Sequence, residues 1–131
     1  MTLTDWRRDV LTFWFGLDQK QWWKSDPLID DEVRERFHQI WSRKRELPVE
    51  CFLDDPLTAL AAVILFDQFP RNMFRGDAQQ FATDHLALEI AKAAVDRDFD
   101  DQLEKKERVF LYMPFQHSEN LADQNRSLLL F

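Results

Sequence analysis

Two groups of polar residues sit at the ends of otherwise apolar stretches and hold most of the chemistry available to this chain. The first is Asp67, Gln68, Arg71, Asn72 and Arg75; the second is His117, Ser118, Glu119, Asp123 and Gln124. Two arginines beside a helix N-terminus rich in amide donors can bind a small carboxylate or phosphate, and His117 with Glu119 can exchange a proton. A structural reading of the same residues weighs more. Arg71 and Arg75 can cap the last carbonyls of a helix or pair with Asp67, Glu119 and Asp123, Ser118 can cap the following helix, and Gln68 can satisfy a buried backbone group. The two groups are expected to meet in space.

The run His117-Ser118-Glu119 invites a serine-triad interpretation, but helical neighbours point about 100° apart and triads assemble in space, so Ser118 reads as a cap. A metal site from His117, Glu119, Asp123 and Asp67 would have mixed nitrogen and oxygen ligands. No His-x-x-x-His, Glu-x-x-His or paired-cysteine spacing supports it, and neither a metal nor another cofactor is expected. His85 falls on an apolar stripe and reads as a hydrogen-bonded core residue, whereas His38 lies beside a stripe and reads as surface. Cys51 stands alone near Glu50, Asp54 and Asp55, whose negative charge weakens it as a nucleophile. Trp14, Phe15, Trp22 and Trp23 can line a pocket or anchor a partner, although core packing is the ordinary role of such residues. One of the adjacent pair Trp22 and Trp23 is expected to be exposed.

The elements that must position these residues are helical. Of 131 residues, 45% are hydrophobic, 31% are charged and only Gly16 and Gly76 are glycine. So few residues suited to positive φ argue against a turn-rich β architecture, and 12 Phe with 5 Trp supply the bulk of a single core. The net charge of −7 repels phosphate backbones and anionic lipid, so neither nucleic acid nor membrane is an expected partner. No apolar run reaches the roughly 20 residues of a membrane span, and the single cysteine fits a reducing cytoplasm.

Periodicity predicts a first helix over Thr4–Phe15 with Trp6, Val10, Phe13 and Trp14 on its buried face, stopped by Gly16. A second runs from Asp30 to Glu46 on Val33, Phe37, Ile40 and Trp41, with Asp30, Asp31 and Glu32 suiting its positive end. The third opens at Asp55-Pro56 and is apolar almost all round through Leu57–Phe66, which marks it as central; Pro70 is expected to end it. A fourth is expected from Asp77 to Arg97 with Phe81, His85, Leu88, Ala91 and Val95 inward, and a fifth from Gln102 to Tyr112, closed by Pro114. A sixth starts near Ser118, uses Leu121, Leu128 and Leu129, and finishes on Leu128–Phe131. That apolar end must be covered by the fold, by a second subunit or by further residues. These elements amount to antiparallel helical hairpins in a layered bundle or superhelix.

Three separated motifs occur in order: Phe13-Trp14-Phe15-Gly16; Asp67-Gln68-Phe69-Pro70-Arg71-Asn72 with Arg75-Gly76; and Pro114-Phe115-Gln116-His117-Ser118-Glu119 with Asp123-Gln124. Together they resemble the bacterial family called domain of unknown function 924, over about Val10 to Arg126. The resemblance implies an all-α fold of the tetratricopeptide-like superfamily, a right-handed superhelix, and carries no established activity, substrate or cofactor. Members similar to this chain usually continue past the His-Ser-Glu motif. The expectation is therefore one all-α domain over residues 1–131 without the family's later helices. The leading functional reading is a noncatalytic scaffold binding a protein segment or small acidic ligand at the polar patch. The alternative is a small hydrolase with His117 and Glu119 as acid–base groups and Arg71 and Arg75 as an anion clamp.

Overall fold

The computed structural model describes residues 5–131, and every described element is helical or a turn. Helix α1 (Trp6–Phe15) is capped by Asp5, which accepts from the Arg7 amide at 3.0 Å, and it buries Val10, Phe13 and Trp14. The expected start at Thr4 lies outside the described residues. Gly16 ends α1 in right-handed geometry. Glycine is needed there for space, because a Cβ would sit 2.8 Å from the Thr12 carbonyl oxygen. Trp22 and Trp23, expected in an irregular connection, belong to the short helix α2 (Gln19–Trp23). Gln21 Oε1 accepts from the Asp18 amide at 2.8 Å at its start. Five residues are too few for a periodic pattern to register.

Helix α3 (Pro27–Lys44) starts earlier than Asp30 because Asp26 caps it and Pro27 takes the first position, where a missing N–H costs nothing. Asp30 is thereby moved inside the helix and becomes a buried carboxylate among Ile29, Val33, Phe37 and Trp41.

The apolar rod opens as α4 (Pro56–Val63), with Asp55 accepting from the Thr58 amide at 2.8 Å. Ala59 through Phe66 are all fully buried, the position the sequence predicts for a central helix. Pro70 does not end the rod. A single π-helical turn, Ile64–Gln68, inserts one extra residue, closes with the Phe69 amide on the Ile64 carbonyl, and passes directly into α5 (Phe69–Met73). Pro70 leaves the Phe66 carbonyl without its usual helical donor. Thr83 Oγ1 donates to that oxygen at 2.7 Å and accepts from Trp41 Nε1 at 3.0 Å. One buried threonine thus ties α3 to the rod and to the start of the next helix, and makes a mid-helix proline tolerable.

The expected helix from Asp77 divides into a 3₁₀ turn (Ala78–Phe81) and α6 (Asp84–Asp96). The later start changes its phase. Phe81 and His85, expected inside, are exposed, the His85 side chain by 85%; the inward residues are Ala87, Leu88, Ile90, Ala91 and Ala94. Small alanines spaced three and four apart let α6 lie close against the alanine-rich α4, and that close fit outweighs the larger but misplaced Phe81.

Another 3₁₀ turn (Phe99–Gln102) occupies the expected start of the fifth helix, and α7 (Lys105–His117) begins three residues later with Glu107 accepting from the Glu104 amide. Helix α7 continues through Pro114, carrying His117 on its last turn. The last helix, α8 (Leu121–Leu130), is capped by Asn120 rather than Ser118. Its buried residues are Asp123 and Ser127; Leu121, Leu128 and Leu129, expected to pack, are exposed. Helix α7 packs against both α6 and α8, and no strand occurs among the described residues.

Leu60→Ala or Ile64→Ala is expected to cost about 2–5 kcal/mol through an unfilled cavity in the rod. Thr83→Val, nearly isosteric, is expected to cost about 2–3 kcal/mol by leaving the Phe66 carbonyl and the Trp41 indole unpartnered. Urea midpoints measure both, and a loss under about 1 kcal/mol would contradict the respective roles.

Candidate functional site

The π-turn and the last turn of α7 are neighbours. Asp67, fully buried, lies with Oδ1 2.9 Å from His117 Nδ1, a contact across fifty residues of chain. Gln68 Nε2 donates to the other carboxylate oxygen at 2.8 Å. Arg71 Nη1 donates to the Asp67 carbonyl oxygen and lies 3.6 Å from Oδ1. A buried carboxylate needs such partners, and its own rod supplies two of them, Gln68 from the π-turn and Arg71 from α5.

The arginines are each held by an acid from another helix. Arg71 grips Asp84 with both terminal nitrogens at 2.9 and 3.0 Å. Asp84 stands in the first turn of α6. Arg75 contacts both oxygens of Asp30 at 2.7 and 3.0 Å, and Asn72 Nδ2 adds a third hydrogen bond at 2.8 Å. Burial would raise the Asp30 pKa, but the hydrogen bonds from Arg75 and Asn72 outweigh it and hold the carboxyl below its ordinary value. Sequence reasoning missed both acids. Asp30 carried only the signal of an acid at a helix start, and nothing marked Asp84 for Arg71.

The second group divides. His117 faces Asp67, whereas Glu119 is exposed and makes no hydrogen bond among the described residues, so the carboxylate serving the histidine is Asp67. Ser118 lies between α7 and α8, accepts from the Asn120 amide at 3.1 Å and donates to Asp123 at 2.8 Å. Lys92 reaches Asp123 at 3.1 Å, and Gln124 Nε2 donates to the Ser118 carbonyl at 2.7 Å. Burial pushes the Asp123 pKa up, but its bonds to Ser118 and Lys92 prevail and lower it. Asp123, Ser118 and Gln124 therefore hold the α7–α8 turn that presents His117.

Two clefts meet at Arg71 and His117, which line both. The larger, about 530 Å³, has Leu88 and Pro114 as an apolar wall and Asp84, Ser118 and Glu119 as its polar edge. The smaller, about 220 Å³, is walled by Trp22 and Trp23 and lined by Lys24, Arg71, Arg75 and His117, with no carboxylate in its lining. His117 Nε2 makes no hydrogen bond among the described residues, and the His117 side chain is 22% exposed. Trp14, which also lines the smaller cleft, has a buried indole nitrogen without a partner. Trp23 is 57% exposed, and Trp22 donates to the Trp14 carbonyl at 2.8 Å. Among the described residues no group of three His, Cys, Asp or Glu is placed to hold a metal, and no helix is long and apolar enough to cross a membrane.

A family model described as "Bacterial protein of unknown function (DUF924)" matches residues 10–131, and the chain belongs to that family. It is similar to a solved structure, that of the protein of unknown function ATU0120 from Agrobacterium tumefaciens. The two are 36% identical with a TM-score of 0.87, over 95% of this chain and 70% of that one. No curated protein matches the chain.

A folded-state pKa below the unfolded one gives stability that is complete above the unfolded value and is lost as pH falls through the folded one. The Asp30 contribution is therefore present at neutral pH and is lost as pH falls below the ordinary 3.8. Asp30→Asn is expected to be less stable at neutral pH and to lose less further stability on acidification. Urea midpoints measured from neutral to acid pH check this, and parallel pH curves for wild type and variant would contradict it.

Proposed function

We propose that this DUF924 protein binds a small acidic ligand in the smaller cleft, on a helical scaffold of tetratricopeptide-like superhelical form. One observation carries the reading: Lys24, Arg71 and Arg75 converge on a concavity whose lining contains no carboxylate, in a chain of net charge −7. A local positive field in an acidic protein concentrates anions where the rest of the surface repels them. The arginines are oriented by their acids without being fully engaged. Arg71 Nε and Arg75 Nη1 make no hydrogen bond among the described residues, and the Arg75 side chain is 43% exposed.

Asp30 and Asp84 offset part of the arginine charge, so Lys24 and these remaining N–H groups carry the attraction. The tryptophan wall suits a ligand with an apolar body beside its acidic end, in the usual manner of small-molecule sites. An acidic peptide terminus has the same chemistry and is the form in which a protein segment would bind.

Succinate and inorganic phosphate are suitable probes. Calorimetry is expected to detect binding of at least one, with Lys24→Ala and Arg75→Ala each weakening it about tenfold, the effect of roughly 1.4 kcal/mol from a charge-assisted contact. Failure of both probes to bind at millimolar concentration, or wild-type affinity in both variants, would overturn the reading.

A further inference from the structure

We infer that His117 is the proton-transferring group of a hydrolytic site acting on esters whose acyl half carries a second negative charge. The inference rests on the anion-binding reading above, since Lys24 and Arg75 would hold that charge. Its own observation is the orientation of the imidazole. Asp67, fully buried, lies 2.9 Å from Nδ1, a contact that in the neutral ring places the proton on that nitrogen and leaves Nε2 as the acceptor. Nε2 makes no hydrogen bond among the described residues, and the ring lines both clefts.

The ring stands where a cationic cleft and a mixed one with an apolar wall join. A substrate lying across His117 directs its acidic acyl half toward Lys24 and Arg75, and its leaving half against Leu88 and Pro114. The ester bond then lies beside Nε2. Solvent water is the co-substrate. Nε2 takes a proton from water as the water oxygen bonds to the acyl carbon, and the carbonyl electron pair moves onto its own oxygen. Arg71 lines both clefts with Nε unbonded and is the donor available to that oxyanion. When the carbonyl re-forms, the bond from the acyl carbon to the leaving oxygen breaks, and the proton on Nε2 passes to that oxygen. The products are a diacid and an alcohol, and the imidazole is neutral again. Asp67 is a positioning residue throughout. Ser118 takes no nucleophilic part, because its hydroxyl is given to Asp123.

The test compares hydrolysis of 4-nitrophenyl hemisuccinate and 4-nitrophenyl acetate, with succinate binding measured in parallel by calorimetry. Wild type is expected to favour the hemisuccinate at least tenfold in kcat/KM. His117→Gln is expected to lose about 100-fold or more in kcat, the range of general acid–base catalysis, while succinate still binds and His38→Gln is unchanged. Asp67→Asn is expected to lower kcat with little change in KM and to displace the pH–rate profile, which a merely structural role would not do. If Asp67→Asn fails to fold, the half-buried His117 still carries the test. Succinate binding with no hydrolysis above that of His117→Gln overturns this inference alone; no hydrolysis together with no binding of succinate or of inorganic phosphate overturns both readings.

Discussion

A carboxylate sealed from water is the constraint around which this structure is arranged. Asp67 has no exposed surface, and Gln68 and Arg71 on its own rod, with His117 from α7, serve its lone pairs or its charge. Removing any one partner leaves desolvated charge without compensation, an effect larger than the net worth of the pair itself. That cost makes the meeting of the central rod and α7 specific as well as tight. The same carboxylate gives the imidazole a fixed direction, so stability and chemistry here draw on one contact.

The rod bearing Asp67 departs from regular geometry at the place where it matters. A π-turn followed within two residues by a proline is an unfavourable sequence for a buried helix interior. It persists because Thr83 supplies the donor that Pro70 lacks, and because Trp41 in turn satisfies Thr83. The neighbouring α6 then packs through alanines, whose small size permits close approach to α4. Irregular backbone in the middle of the core and a close helix-to-helix fit are two sides of one arrangement.

Much of this was legible in the residues themselves. The run from Leu57 to Phe66 is apolar on every side and had to be central, and the order of three motifs was enough to identify the family. Local patterning failed where distant contacts decide. Pro70 and Pro114 read as helix ends, yet helices pass through both, at Pro70 with a distant donor, Thr83, serving the freed carbonyl. Asp30 read as complementing a helix end, because its pairing with Arg75 spans forty-five residues. His85 read as core because the phase of α6 was taken from Phe81, whereas the alanines set it. The meeting of the two polar groups was correctly anticipated. Which acid would face His117 was not, since Glu119 is near in sequence and Asp67 only in space.

The aromatic corner has a consequence for how the molecule can be observed. Trp14, Trp22 and Trp23 lie against one another and against Phe110, with ring centroids about 5 to 6 Å apart, and all three tryptophans line the smaller cleft. Trp6 and Trp41 pack elsewhere, on Phe52 and Phe74. Three of the five tryptophans are thus concentrated at one concavity. The emission of the unlabelled protein is weighted toward that spot, which turns the wall of the cleft into a native optical gauge of what occupies it.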